Sequence, residues 1–310
     1  MSRTSPPSQV RERTVAKARV LLEALPFIQE HRGKVVVVKV GGAVMDLAPL
    51  SRSFAEDLAL LQHVGIKPLV VHGGGPQVTE ISGRLGLETR FVDGHRVTDG
   101  PTLDVAKMVL AGKLNTEVVG TLRSGGVPAV GLSGVDGGLV VARRRSAPDL
   151  GLVGEVVRVE PAVAATLMER GFVPVVASIA GGEDGQAYNV NADVVAAELA
   201  VGMGADKLVY MNDVPGVLGP GGDLFSELGV EDALDLLAGG AVDGGMIPKL
   251  ESAVRAVKGG VSRVHLLDGR VEHALVLELF TPEGVGTMLA TEPSPGDPGR
   301  VRAPNVGVAR

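Results

Sequence analysis

The stretch Pro68-Leu69-Val70-Val71-His72-Gly73-Gly74-Gly75-Pro76-Gln77 constrains this chain more than any other. Its apolar, β-branched run reads as a strand covered on both faces. Three consecutive glycines follow, and they let a ligand approach the bare backbone. Pro76 suits the first turn of a helix, where its missing N–H costs nothing. Amides left open between the carboxyl end of a strand and the amino end of a helix form an anion site, for phosphate above all. A tight turn without a ligand is the competing reading, but a turn needs fewer glycines.

The same pattern occurs just upstream. Val35 to Val38 is unbroken valine, as in a buried central strand. Lys39 stands near its end, before Gly41-Gly42. Burying a lysine without a partner is expensive. At a strand's carboxyl end, facing a phosphate, it has a use; a side chain that reaches out to solvent is the alternative. Ser51 to Val64 is predicted as an amphipathic helix with Phe54, Leu58, Leu61 and Val64 on one face. Strand, glycine turn and helix thus appear twice in succession. That is a parallel, doubly wound α/β pattern with both turns at the sheet edge where ligands bind.

Composition agrees with this class. Of 310 residues, 44 are glycine and 45% are hydrophobic, which suits many short turns around an aliphatic core. A net charge of -6 gives no support for nucleic acid as a partner. The absence of cysteine excludes disulfides, thiolate metal sites and cysteine nucleophiles. No apolar run reaches the length of a membrane span. No signal-peptide core is seen, so a cytoplasmic enzyme is expected.

The remaining elements follow in order. Leu87 to Asp99 is predicted as a hairpin turning at Asp93-Gly94; Arg96 just after it is a candidate for gripping a carboxylate in a bidentate fork, with an ordinary surface arginine as the alternative. A helix is expected from Pro101 to about Ser124, a strand over Ala129–Leu132 and a β ribbon over Val140–Arg158. The run Arg143-Arg144-Arg145 reads as a solvated face. A helix over Pro161–Arg170 and a strand over Val173–Ala177 lead to Asn189-Val190-Asn191-Ala192-Asp193, which opens another helix. One cap needs one such residue, so three in five point to a polar site. Lys207 to Met211 is a buried strand running into Asn212-Asp213, and Lys249 falls in the first turn of a helix that ends near Lys258. A lysine there opposes the helix dipole, so a negative ligand would explain it. A strand over Ser262–Leu267, a helix over His273–Leu279 and a closing strand complete the pattern. Residues 1 to 9 and the tail from Thr291 are expected to be disordered. Between Val10 and Leu25, the residues Val15, Ala18, Leu22 and Leu25 form a helical seam. It either packs on the chain's own body or forms an arm exchanged between subunits.

No G-x-x-x-x-G-K-[ST], G-x-G-x-x-G or H-E-x-x-H motif supplies the usual nucleotide or zinc readings. What remains is a set of glycine cradles with Lys39, Lys249, Arg96 and Asp193. This set fits phosphoryl transfer, where catalysis is mostly positioning and electrostatic stabilisation. Two lysines can neutralise the transferring group, and a carboxylate between them can hold both. A carboxylate acceptor would need no general base.

In this order, Val38-Lys39-Val40-Gly41-Gly42, His72-Gly73-Gly74-Gly75-Pro76, Gly94-His95-Arg96-Val97-Thr98-Asp99, Gly131-Leu132-Ser133-Gly134, Asn189-Val190-Asn191-Ala192-Asp193 and Gly245-Met246-Ile247-Pro248-Lys249 resemble acetylglutamate kinase, of the amino acid kinase superfamily. The resemblance spans roughly Leu21 to Ala290. It implies a three-layer αβα sandwich around a mainly parallel open sheet. It implies an oligomerisation helix and tail over 1–30, an acyl-amino-acid lobe over 31–180, a nucleotide lobe over 181–290 and a disordered tail over 291–310. The implied reaction moves the γ-phosphoryl group of ATP, with Mg²⁺, to the γ-carboxylate of N-acetyl-L-glutamate in arginine biosynthesis. Lys39 and Lys249 would stabilise the group in flight, Asp193 would organise them, and Gly74, Gly75 and Gly42 would line its path. Arg96, Asn189 and Asn191 would bind the acyl amino acid, with Gly74 and Gly75. Gly41, Asn212, Asp213 and Gly216 would lie at the nucleotide, with Gly42 and the two lysines. Arginine-inhibited relatives interlace dimers into a hexamer through an N-terminal helix; Lys207, His265, Glu278 and Gly284 would form the arginine site here. Asn212 departs from the usual Ser or Thr. A kinase for a related substrate such as carrier-linked aminoadipate, and a non-catalytic arginine sensor, are the alternatives.

Overall fold

The computed structural model describes residues 8–41, 48–92, 94–219, 221–242, 244–281 and 284–292. Gly42, Asp93 of the expected hairpin turn, and the outer parts of both expected disordered ends lie outside the described residues.

A long helix α1 (Ser8–His31) opens the described chain and is followed by β1 (Val35–Val40), α2 (Ala48–His63), β2 (Lys67–His72) and α3 (Gly75–Arg84). A hairpin β3 (Phe91–Val92) and β4 (His95–Arg96) leads to α4 (Gly100–Ala106), a π-helical segment (Lys107–Leu114) and α5 (Asn115–Ser124). Next come β5 (Ala129–Ser133), β6 (Val140–Arg144), β7 (Gly154–Val159), α6 (Ala162–Glu169), β8 (Val173–Ala177), β9 (Ile179–Gly181) and β10 (Ala187–Asn189). The last part holds α7 (Ala192–Gly202), β11 (Lys207–Asn212), β12 (Glu227–Gly229), α8 (Val230–Ala238), α9 (Met246–Lys258), β13 (Arg263–Asp268), α10 (Ala274–Phe280) and β14 (Thr287–Ala290).

Eight strands form the central sheet in the order β12-β14-β13-β11-β1-β2-β8-β5. All its pairs are parallel except β13 with β14. The valine strand β1 therefore lies in the middle, between β11 and β2. Its alternation feeds two cores: Val37 packs on the α7 and α9 side, and Val36, Val38 and Val40 pack on the α2, α5 and α10 side. Helices thus cover both faces, and the α/β three-layer expectation holds. A smaller sheet, β10-β9-β6-β7, contains the expected ribbon and hangs Asn189 beside the carboxyl ends of the large sheet. Among the described residues, no helix is long and apolar enough to cross a membrane.

Two helices differ from expectation. The stretch after Pro101 is not uniform: its middle turns, Lys107–Leu114, take π geometry, which is frequent at functional sites. Hydrophobic periodicity cannot foresee that change of pitch. The first helix runs on through Pro26 to His31. Ala24, Phe27 and Ile28 pack on the core, while Val15, Leu21, Leu22 and Leu25 are exposed. All four residues of the expected seam, Val15, Ala18, Leu22 and Leu25, are thus exposed on this chain.

Leu58 is fully buried at the centre of the α2 core face. Leu58→Ala should lower the unfolding free energy by about 2–5 kcal/mol through lost burial and a residual cavity. Urea denaturation checks this, and an unchanged midpoint would contradict the packing described.

Candidate active site

The sheet sets up the site by register. Lys39 is the penultimate residue of β1, opposite Tyr210 of β11, and points to the face covered by α7. Asn191 caps α7 by accepting a hydrogen bond from the Asp193 amide at 2.7 Å. That capping turn brings the Asp193 carboxylate to Lys39. Lys39 Nζ lies 2.8 Å from Asp193 Oδ1, and Lys249 Nζ lies 3.7 Å from Asp193 Oδ2. Lys249 also donates to the Gly245 carbonyl at 3.1 Å, within the first turn of α9. One buried carboxylate thus holds two ammonium groups, and the trio carries one excess positive charge. Water is largely excluded, so that charge favours an incoming anion strongly. The Tyr210 hydroxyl supports the arrangement from below by donating to the Asp193 carbonyl at 3.1 Å.

Two cavities meet at this trio. The first, about 300 Å³, is lined by Lys39, Gly41, Gly74, Gly75, Arg96, Asn189, Asn191 and Asp193. The second, about 650 Å³, is lined by Asp213, Gly216, Gly219, Gly245, Met246 and Lys249. Lys249 therefore touches one cavity and pairs with a carboxylate that touches the other. Both volumes fall in the range of small-molecule sites.

Arg96 is held rather than loose. Its guanidinium donates to the Gly75 carbonyl at 2.8 Å and to Thr79 Oγ1 at 2.7 Å, and it stacks on the Phe91 ring at 4.9 Å. It has no carboxylate partner among the described residues, and burial lowers its pKa. An anionic group of a ligand would complete it. Asn189 donates to Thr98 Oγ1 at 3.2 Å, which fixes its amide at the cavity wall. The amides of Gly74 and Gly75, at the start of α3, have no acceptor among the described residues. A Cβ at Gly74 would meet the terminal methyl groups of Leu110 and Leu114, so the π segment packs closely on the turn.

Some expected residues sit differently. Gly41 lines the smaller cavity, and its amide continues the ladder by donating to the Met211 carbonyl at 3.2 Å. Asn212 is buried and lines neither cavity; its Oδ1 has no partner among the described residues. Sequence reasoning assigned no role to Thr79, Phe91, Tyr210 or Asn115. Only the scarcity of aromatics could have drawn attention to Phe91 and Tyr210.

Lys207, His265, Glu278 and Gly284 come together at the other end of the sheet. Lys207 begins β11, the strand whose far end carries Asn212. Its ammonium lies 3.5 Å from His265 Nε2, and His265 Nδ1 lies 2.7 Å from Glu278 Oε1. Glu278 Oε2 accepts from the amides of Val285 and Gly286 at 2.6 and 3.2 Å. Gly284 has φ of 63°, and a side chain there would press on the Glu278 carboxylate. Burial, aided by nearby Arg263, pushes the Lys207 ammonium down to about 8.

A parallel sheet with a lysine-carboxylate-lysine bridge between two cavities defines a phosphotransferase class, and the chain belongs to the amino acid kinase family, whose model matches residues 34–268. Its relatives within that family include acetylglutamate kinases. That of Symbiobacterium thermophilum is 49% identical over 90% of this chain and 99% of its own length. That of Bordetella avium is 47% identical over 94% and 99%. Among solved structures, N-acetylglutamate synthase from Neisseria gonorrhoeae superposes with a TM-score of 0.80 at 27% identity, covering 89% of this chain and 63% of that longer one. An isopentenyl phosphate kinase, at 19% identity and a TM-score of 0.59, shares the fold.

Asp193→Asn keeps the helix cap, since Asn191 supplies it, but leaves two ammonium groups without their counter-charge. Turnover should fall on the order of 10²-fold, and the melting temperature should fall as well, because two largely buried ammonium groups lose their counter-charge. Steady-state kinetics beside thermal unfolding checks this, and full turnover in the variant would contradict the role of the bridge.

Proposed function

We propose that this chain transfers the γ-phosphoryl group of ATP to the side-chain carboxylate of N-acetyl-L-glutamate, a step of arginine biosynthesis. The observation that carries this reading is the Asp193 bridge at the junction of the two cavities. The acetylglutamate kinases similar over nearly the whole chain supply the choice of substrate. The acyl amino acid occupies the smaller cavity, with one carboxylate on Arg96 and its polar groups on Asn189, while Asn191 shapes the wall. The nucleotide occupies the larger cavity along Asp213 and Gly216. This assigns acyl-amino-acid binding mainly to residues 31–180, with Asn189 and Asn191 reaching in from the next stretch, and nucleotide binding to the remainder of 181–290. The substrate carboxylate oxygen attacks the γ-phosphorus, and the bond from that phosphorus to the oxygen bridging it to ADP breaks. The acceptor is already ionised, so no proton is removed. Lys39 and Lys249 take up the negative charge on the equatorial oxygens, and the free amides of Gly74 and Gly75 line the path. Among the described residues no cluster of His, Asp or Glu suits a resident metal ion. Mg²⁺ therefore enters this proposal on the phosphates of ATP.

The second part of the proposal is regulation. Lys207, His265, Glu278 and Gly284 form an arginine site, with Glu278 as the partner for a guanidinium. A neighbouring fold, the gonococcal N-acetylglutamate synthase, has been solved with L-arginine bound, at 26% identity. The exposed Leu21, Leu22 and Leu25 of α1 support an arm that joins dimers into a hexamer, and the cytoplasm is the proposed compartment.

The purified protein should form the hydroxamate from N-acetylglutamate, MgATP and hydroxylamine, and its absence at millimolar substrate would refute the reaction. In Lys39→Met or Lys249→Met, kcat should fall on the order of 10²–10³-fold with little change in ATP affinity. Intact turnover in either would remove that lysine from the mechanism. Deleting residues 1–25 should yield active dimers with weakened arginine inhibition, read by light scattering and an arginine titration. A truncated protein that remains hexameric would contradict the arm.

A further inference from the structure

His72 closes β2, directly before the glycine turn, and is almost wholly buried. Its side chain faces the α2 and α5 side of the sheet, away from both cavities. Its Nδ1 lies 3.0 Å from the Gly73 carbonyl, and its Nε2 lies 3.1 Å from Asn115 Nδ2. A carbonyl only accepts, so Nδ1 carries the proton and Nε2 offers its lone pair to the Asn115 amide. Asn115 cannot turn over, because the same Nδ2 also faces the Val175 carbonyl at 2.9 Å and the Leu132 carbonyl at 3.3 Å. The π segment ends immediately before Asn115 and places Leu110 and Leu114 against Gly74. A side chain at Gly131 would occupy the space of Asn115 Oδ1, so the strand below is cut away for it. Burial lowers the His72 pKa, the direction that agrees with this pattern.

The Gly73 carbonyl and the Gly74 N–H belong to one planar trans peptide and point in opposite directions. Fixing the carbonyl on the His72 side fixes the amide on the other. Gly74 lines the substrate cavity, and its amide has no acceptor among the described residues. Glycines cannot hold a peptide plane by themselves, so the orientation must come from outside the turn.

We propose that His72, locked by Asn115, is the positioning residue that fixes the Gly73–Gly74 peptide plane and aims the Gly74 amide at the transferring phosphoryl group. This rests on the reading of the glycine turn as the phosphoryl path. Neither side chain touches substrate. The effect belongs to the transition state, so it appears in kcat rather than in ground-state binding.

Two isosteric variants separate this from simple packing. The amide nitrogen of an Asn stands where Nδ1 stands, and the amide of a Gln reaches where Nε2 stands. His72→Asn keeps the donor to Gly73 and loses the Asn115 contact; His72→Gln does the reverse. Each loses one hydrogen bond, so the two should melt at similar temperatures. Turnover should separate them: His72→Gln loses on the order of 10–100-fold in kcat with unchanged KM for ATP and N-acetylglutamate, and His72→Asn keeps most of its kcat. Equal kcat losses in both, tracking stability, would overturn the proposal. Gly74→Ala serves as the reference, since it shifts the turn directly against Leu110 and Leu114. If Gly74→Ala loses kcat and His72→Gln does not, the positioning role fails. If Gly74→Ala also keeps its kcat, the glycine path itself is wrong.

Discussion

One carboxylate shared by two ammonium groups is the interaction on which the rest of this structure depends. Lys39 comes from the middle of the sheet and Lys249 from the first turn of α9, 210 positions later in the chain. Neither placement favours stability by itself, since one buries a charge and the other opposes a helix dipole. Asp193 compensates only part of this, and the remaining positive charge gives the site its appetite for an anion. The elements around it read as the means of holding this trio: the Asn191 cap, the Tyr210 hydroxyl and the register of β1 against β11.

The proposed reaction site and the proposed arginine site lie at opposite ends of the same sheet. Lys39 and the glycine turn sit at the carboxyl ends of β1 and β2, facing Asp193 of α7 and Lys249 of α9, and the Lys207–His265–Glu278 chain sits at the opposite end of β11 and along β13. Tyr210, three residues along β11 from Lys207, supports Asp193. A shift of β11 along its axis would be felt at both ends. The two faces of the sheet divide the work in a similar way. The α7 and α9 face carries the lysines, and the α2, α5 and α10 face carries the buried polar pair that orients the glycine turn.

Much of the fold was legible because its signals are local. Unbroken valines announced the central strand, glycines after strands announced the ligand edge, and the 3.6-residue period of α2 announced a covering layer. The oddity of Lys39, Asp193 and Lys249 was legible too, since each breaks a local rule that function can explain. What was hidden depends on distance or on pitch. The π segment has the same composition as the helix expected there. Asn115 carries no local signal, and its meaning arises only when α5 brings it over the ends of β2, β5 and β8. Asn212 is placed at the nucleotide by the family resemblance alone; in the structure it is buried and lines neither cavity.

The most direct measurement is a crystal structure with MgADP, aluminium fluoride and N-acetylglutamate bound together, the fluoride complex standing in for the phosphoryl group in flight. The account predicts that fluoride between the two ligands, within hydrogen-bonding distance of Lys39 Nζ, Lys249 Nζ and the Gly74 amide, with Asp193 still on both lysines. A fluoride complex that leaves either lysine turned away, or that sits outside the junction of the two cavities, would contradict it.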